Sequence, residues 1–231
     1  MTFDTPLVHG RLIRRYKRFL ADIVLDSGEI VTAHSTNTGS MLSCIEEGAE
    51  VYCTPVQDPT RKTQFTWEMI YINGGWIGVN TGVPNRLAQE FVLAGTVPEL
   101  GGYTLARREV TFSDSRFDIY AERGDEKCFI EVKNVTFRAG NYARFPDAVS
   151  VRGAKHLRTL TEAHVAGYRA VMLYVVQRTD VDIFAPATDI DPVYARELST
   201  AHDAGVEIIP VQVSVTPEHI TYLRSLPYEL F

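Results

Sequence analysis

Ser115-Arg-Phe-Asp118 and, after a turn at Gly124-Asp125, Cys128-Phe-Ile-Glu-Val-Lys-Asn-Val135 decide how the second half of the chain is read. Successive side chains of a strand point to opposite faces. Glu131 and Lys133 therefore share one face of Ile130-Glu-Val-Lys-Asn134, while Ile130 and Val132 turn toward a core. The turn over Arg123 to Glu126 folds the preceding strand back antiparallel and brings Asp118 toward the Glu131 end of its neighbour. Two carboxylates so placed repel unless a cation sits between them. Magnesium or manganese fits, being hard, oxygen-seeking ions that keep waters free for a substrate phosphate. Such an ion lowers the pKa of a ligated water, and Lys133 is placed to orient that water or to stabilise developing charge. This division of labour suits phosphodiester hydrolysis, with Asp118, Glu131 and Lys133 as the catalytic set. The plain alternative is a group of surface ion pairs on a half-exposed strand. The acid-x-lysine triplet carries little by itself: Asp125-Glu-Lys127 also matches, but it lies in the turn with no strand carboxylate opposite.

Pro84 is well placed in the first turn of a helix that runs to about Ala94, with Leu87, Phe91 and Val92 on its apolar face. Strands follow around Tyr103 to Phe112, Phe117 to Ala121 and Cys128 to Val135. Next come an amphipathic helix from about Val151 to Ala166 and a buried strand from Ala170 to Gln177. A helix from Pro192 to Ala204, capped by Gly205, and a strand from Val206 to Val213 complete the order. Such an order gives a mixed sheet flanked by helices. Upstream, Phe19 to Leu25 and Glu29 to His34 form one hairpin, and Phe65 to Ile72 and Trp76 to Asn80 a second. Glu50 to Val56 is a further short strand. Short strands with little helix point to a small barrel, for which the OB-fold is the natural candidate, with Trp67 and Trp76 in its core. The fold class is α+β in two domains, residues 1–82 and 83–231, parted near Gly82-Val-Pro84.

At 231 residues, 45% apolar and 23% charged, the chain has ordinary globular composition. A net charge of -6 argues against a protein coated in positive charge for wrapping nucleic acid. The local exception is Arg11-Leu-Ile-Arg-Arg-Tyr-Lys-Arg18. Its Arg11, Arg14, Arg15, Lys17 and Arg18 with Tyr16 suit phosphate contact and base stacking, or else a strand edge defended by charge. Three scattered cysteines, Cys44, Cys53 and Cys128, carry no zinc or disulfide spacing. The apolar run Ala170 to Val176 is too short for a membrane span and the start has no signal-peptide core, which leaves a cytoplasmic protein as the expectation.

The chain resembles the sugar fermentation stimulation protein A family of bacteria and archaea. The resemblance rests on Gly10 to Ala21, Asn37-Thr-Gly-Ser-Met41, Val79-Asn-Thr81, Pro84-Asn85, Ser115 to Asp118, Glu131-Val-Lys-Asn-Val-Thr136, Phe145-Pro-Asp-Ala148 and Arg152-Gly-Ala-Lys-His-Leu157. It implies an N-terminal OB-fold joined to a domain of the PD-(D/E)XK nuclease fold. Asp118 is then the first acid of the motif, Glu131 the second and Lys133 its lysine. Glu90 matches the extra acid that many such nucleases place near the metal. Phe117 replaces the proline of the motif's name, and Ser113-Asp114 stands where a glycine-bearing turn is expected. The family is described as DNA-binding and linked to sugar, especially maltose, metabolism. A non-catalytic DNA-binding regulator on a nuclease scaffold is therefore the alternative to a nuclease, with DNA or RNA as partner and a homodimer one of the assemblies left open. Arg152, Lys155 and His156 on the following helix are candidates for meeting a phosphate or orienting the site. Asn37 to Met41 and Asn80-Thr81 either hold domain geometry or line a groove; Phe145-Pro-Asp147 positions the strand-to-helix crossing, or else Asp147 is a partner to the site residues.

Overall fold

Alternating apolar and polar positions in the first third of the chain fold, in the computed structural model, into six strands; the structure describes residues 1–230. They are β1 (Val8–Tyr16), β2 (Leu20–Leu25), β3 (Ile30–His34), β4 (Glu50–Pro55), β5 (Phe65–Ile72) and β6 (Gly75–Gly78). β1 pairs antiparallel with β2 and β4, β2 with β3, and β4 with β5, while β3 closes onto β5 in parallel. This closes a five-stranded OB barrel, and β6 adds to its rim through β5. Leu12, Ile23, Ala33, Val51, Cys53 and Trp67 fill its interior. Trp76 departs from expectation. It packs outside the barrel, partly buried against Tyr52 and Tyr71, on the cluster shared with the second domain. β1 lies between β2 and β4, but β4 pairs with it only over Val8–Arg11, so of its basic residues Arg11 is flanked on both sides and Arg14 and Arg15 pair with β2 alone.

Beyond the barrel come α1 (Val83–Ala94), β7 (Leu105–Phe112), β8 (Ser115–Arg123), β9 (Glu126–Val135), β10 (Phe137–Ala139), β11 (Tyr142–Phe145) and α2 (Val151–Val165). The chain ends with β12 (Arg169–Val176), β13 (Ile183–Pro186), α3 (Pro192–Asp203), β14 (Glu207–Val215) and β15 (Ile220–Ser225). One sheet runs in the order β15-β14-β12-β9-β8-β7, with β9, β12 and β14 parallel through the crossover helices α2 and α3. α1 covers one face: Leu87 and Phe91 pack with Ile130, Val132, Val171 and Leu173. α2 and α3 cover the other, where Leu157, Leu160 and Leu198 meet Phe129, Met172 and Tyr174. β12 is thus buried on both faces, which explains its unbroken apolar run.

The helix ends follow their local chemistry. Pro84 opens α1 and left-handed Gly95 (φ 63°) closes it. Ser150 Oγ accepts from Gly153 N at 3.0 Å to start α2, and Asp191 accepts from Tyr194 N at 2.9 Å to start α3. Ser113, between β7 and β8, has φ 53°, so the turn demands the conformation that glycine adopts most easily. A small sheet of β10, β11 and β13 lies outside what the sequence pattern predicts.

Barrel and sheet are joined by polar contacts as well as by packing. Arg178, 0% exposed, donates to Thr136 O at 2.6 Å and to Ser43 Oγ of the barrel at 2.9 Å, while pairing with Asp180. Asp147 accepts from Met41 N at 3.1 Å, and its carbonyl accepts from Ser40 Oγ at 2.8 Å.

Candidate metal centre

The β8–β9 ladder ends at Ile119 opposite Ile130. Ile119 and Ala121 face α1, yet Phe117, of the same parity, lies in the cluster under α2, so β8 twists through Asp118. Where the strands part, Asp118 Oδ2 accepts the Val132 N–H at 2.8 Å. The side chain thereby satisfies a donor that the ladder no longer serves. Asp118 Oδ1 accepts from Asn85 Nδ2, on the first turn of α1, at 2.8 Å.

Glu131 projects from the centre of β9 and is 2% exposed. Its Oε1 accepts from Lys133 Nζ and contacts His156 Nδ1. Its Oε2 is buried and has no hydrogen-bond partner. Burial and then the nearby Glu131 raise the Asp118 pKa above the ordinary aspartate value, against the pull of Val132 N–H, Lys133 and Asn85. Glu131 goes the other way. Burial pushes its carboxyl up, but Lys133 and His156 together more than offset this and hold it below the ordinary value.

These groups form the floor of a cleft of about 470 Å³. Asn37, Thr38 and Thr81 form its barrel-side wall, and Asn134, Arg144, Asp147 and Arg152 are among the residues that line the rest. Among the described residues, no group of three or more His, Cys, Asp or Glu side chains gathers to hold a metal. The donor set is two carboxylates, the pattern of an ion that fills its shell with water and substrate oxygens.

Glu90 is not part of it. It lies five positions along α1 from Asn85, which rotates it about 140° around the helix. Its carboxylate, 46% exposed, lies 3.2 Å from the Met1 amino group and lines a different pocket. Of the two roles expected of His156, the phosphate contact falls away: at 5% exposed it is turned inward onto Glu131, where it can only orient the site. Arg152 lines the cleft, whereas Lys155 reaches Asp114, at 3.0 Å.

In the basic segment, Arg15 donates to the Asn37 and Gly39 carbonyls and Arg18 to Thr38 O, so both hold the barrel loop that walls the cleft. Arg11 pairs with Glu50 and Arg14 with Asp22, while Lys17 is exposed in a left-handed turn conformation. The sequence pattern assigns no role to Asn85 or Arg144. Asn85 stands only in the quoted pair Pro84-Asn85, and Arg144 reaches the cleft from a strand that has no sequence signal of its own.

An OB barrel joined to a restriction-endonuclease-like α/β domain, with Asp and Glu-x-Lys on adjacent central strands, defines a nuclease-like two-domain protein. A family model described as "Sugar fermentation stimulation protein RE domain" matches residues 82–219, and one described as "SfsA N-terminal OB domain" matches residues 13–79. The sugar fermentation stimulation protein homolog of Paramagnetospirillum magneticum is 50% identical over 232 residues, covering 100% of this chain and 98% of its own length. That of Geobacter sulfurreducens is 49% identical over 228 residues, with 98% of each chain covered. A solved structure, SfsA of Pyrococcus furiosus in complex with Ca2+, superposes with a TM-score of 0.89 at 29% identity, covering 99% of this chain and 98% of that one. The chain belongs to the sugar fermentation stimulation protein family. No helix is long and apolar enough to cross a membrane among the described residues.

Proposed function

We propose that this protein is a divalent-metal-dependent nuclease that binds DNA and hydrolyses phosphodiester bonds over Asp118, Glu131 and Lys133. The observation that carries this reading is the buried, unpartnered Glu131 Oε2 beside a second half-buried carboxylate. A buried charged oxygen without a partner costs several kcal/mol unless something supplies the missing interaction. Asp118 and Glu131 are the residues that would hold a cation, and the Ca2+ complex of the relative supports an oxygen-seeking ion. Magnesium or manganese, when bound, supplies a more acidic water and Lewis-acid stabilisation of the phosphoryl oxygens.

The remaining work falls to the chain's own groups. Asn85 and the Val132 N–H fix Asp118, and Lys133 offers its ammonium to the attacking water or the developing charge. Arg152, and Arg144 from its pair with Asp189, place guanidinium groups in the cleft for a phosphate. In this reading residues 1–82 bind and present the strand, with Arg11, Arg14 and Lys17 on the approach, and residues 83–231 cut it.

The test is cleavage of single- and double-stranded DNA and RNA with Mg2+, Mn2+ or chelator, using wild type, Asp118→Asn, Glu131→Gln and Lys133→Ala. We expect metal-dependent cleavage by wild type only. Binding without cleavage by any of the four proteins on every substrate would leave the scaffold as a DNA-binding regulator and end the catalytic reading.

A further inference from the structure

Resting on the metal-centre reading above, we infer that His156 is a positioning residue which, set by Arg152, aims one Glu131 oxygen at the cation site. Arg152 Nε lies 3.3 Å from His156 Nε2. A guanidinium has no acceptor, so Nε2 must accept and the imidazole proton sits on Nδ1. That N–H donates to Glu131 Oε1. The tautomer is thus fixed from the cleft side and read out on the carboxylate.

Lys133 Nζ meets the same oxygen, so both donors converge on Oε1 and Oε2 alone is left open. The imidazole ring is itself held still, being 5% exposed on α2 and packed edge-on to Phe117 with centroids 6.3 Å apart. Lys133 by itself does not select an oxygen, because an ammonium on a flexible stem follows the carboxylate as it rotates. His156, on a rigid helix, does. A donor fixed on one oxygen of a metal-binding carboxylate raises affinity by removing rotational freedom before the ion arrives.

The test is isothermal titration of the full chain with Mn2+, alongside circular-dichroism melting without metal, for wild type, His156→Leu and His156→Asn. Leucine keeps the buried volume and cannot donate; asparagine places an amide N–H where Nδ1–H stands. We expect His156→Leu to bind Mn2+ about 10–100-fold more weakly, and His156→Asn to recover to within a few-fold of wild type. A role in packing alone would lower the melting temperature of His156→Leu and leave its Mn2+ affinity unchanged, and that result would overturn the inference. So would a folded His156→Asn that binds as weakly as His156→Leu. If wild type binds no Mn2+, the metal-centre reading falls and this inference with it. If wild type and His156→Leu bind equally, only this inference falls.

Discussion

Asp118 and Glu131 face one site, yet neutralising them acts on the metal-free protein in opposite directions. In Asp118→Asn the amide oxygen keeps the Val132 N–H, and the new NH2 faces the Asn85 amide, which flips to present its oxygen. The substitution removes a charge that burial and Glu131 both disfavour. Metal-free Asp118→Asn should therefore melt above wild type at neutral pH. Glu131→Gln weakens the contacts from Lys133 and His156, each charge-assisted or buried. Hydrogen bonds to charged groups contribute about 1.5–3 kcal/mol, so at 2–4 °C per kcal/mol for this chain length the melting point should fall by about 3–12 °C.

The pH dependence separates the two again. A raised aspartate pKa gives stability that is full below the ordinary value of 3.8 and lost as pH rises through the folded value; Asp118→Asn removes that loss. A depressed glutamate pKa gives stability present above the ordinary value of 4.5 and lost as pH falls through the folded value; Glu131→Gln flattens that acid limb. Saturating metal at about 100 times its Kd adds about 2.7 kcal/mol, a rise of about 5–11 °C in wild type and none in either variant. Differential scanning fluorimetry from pH 3 to 9, with chelator or Mn2+, reads all of these. The electrostatic account is refuted if Asp118→Asn melts lower and Glu131→Gln higher than wild type without metal, or if either variant keeps the full metal shift.

Glu90→Gln should leave the metal-induced rise in melting temperature intact, because its carboxylate sits by the Met1 amino group; a diminished rise would place it back at the centre. Gly39→Ala should cost about 1–3 kcal/mol, since a Cβ there would collide with the Asp147 carboxylate that Met41 N also holds. A melting point equal to wild type would show that the loop yields freely. Replacing Arg14 and Lys17 by Gln should flatten the salt dependence of DNA binding by about 0.9 for each phosphate that the pair neutralises; an unchanged slope removes them from the interface.

Much of this fold is legible because it is local. The apolar run of β2, the alternation at the start of β5 and in the middle of β9, the Asn73-Gly74 turn, and the caps of α1 and α3 each follow from neighbouring residues. The pairing of Asp118 with Glu131 is readable too, because a short turn fixes which residues of an antiparallel pair approach. What the sequence withholds depends on distant contacts. The orientation of α1 selects Asn85 over Glu90, and only packing against β8 and β9 sets that rotation. His156 looks like one more polar residue of an amphipathic helix until α2 is laid over β9. β10, β11 and β13 are three or four residues long, too short for a period to register, and Arg144 rides on one of them. Arg15 and Arg18 read as free cations because nothing nearby in sequence announces the carbonyls they hold.

The hold that Asp147 and Arg178 keep on the barrel makes the two halves poor candidates for exchange. Grafting another OB barrel onto residues 83–231 would import a foreign rim into the cleft and strand a buried guanidinium without Ser43. Within this architecture the barrel and the sheet must change together, so relatives should vary in matched sets at Ser40, Ser43, Asp147 and Arg178, and chimeras that break a set should lose solubility before they lose any chemistry.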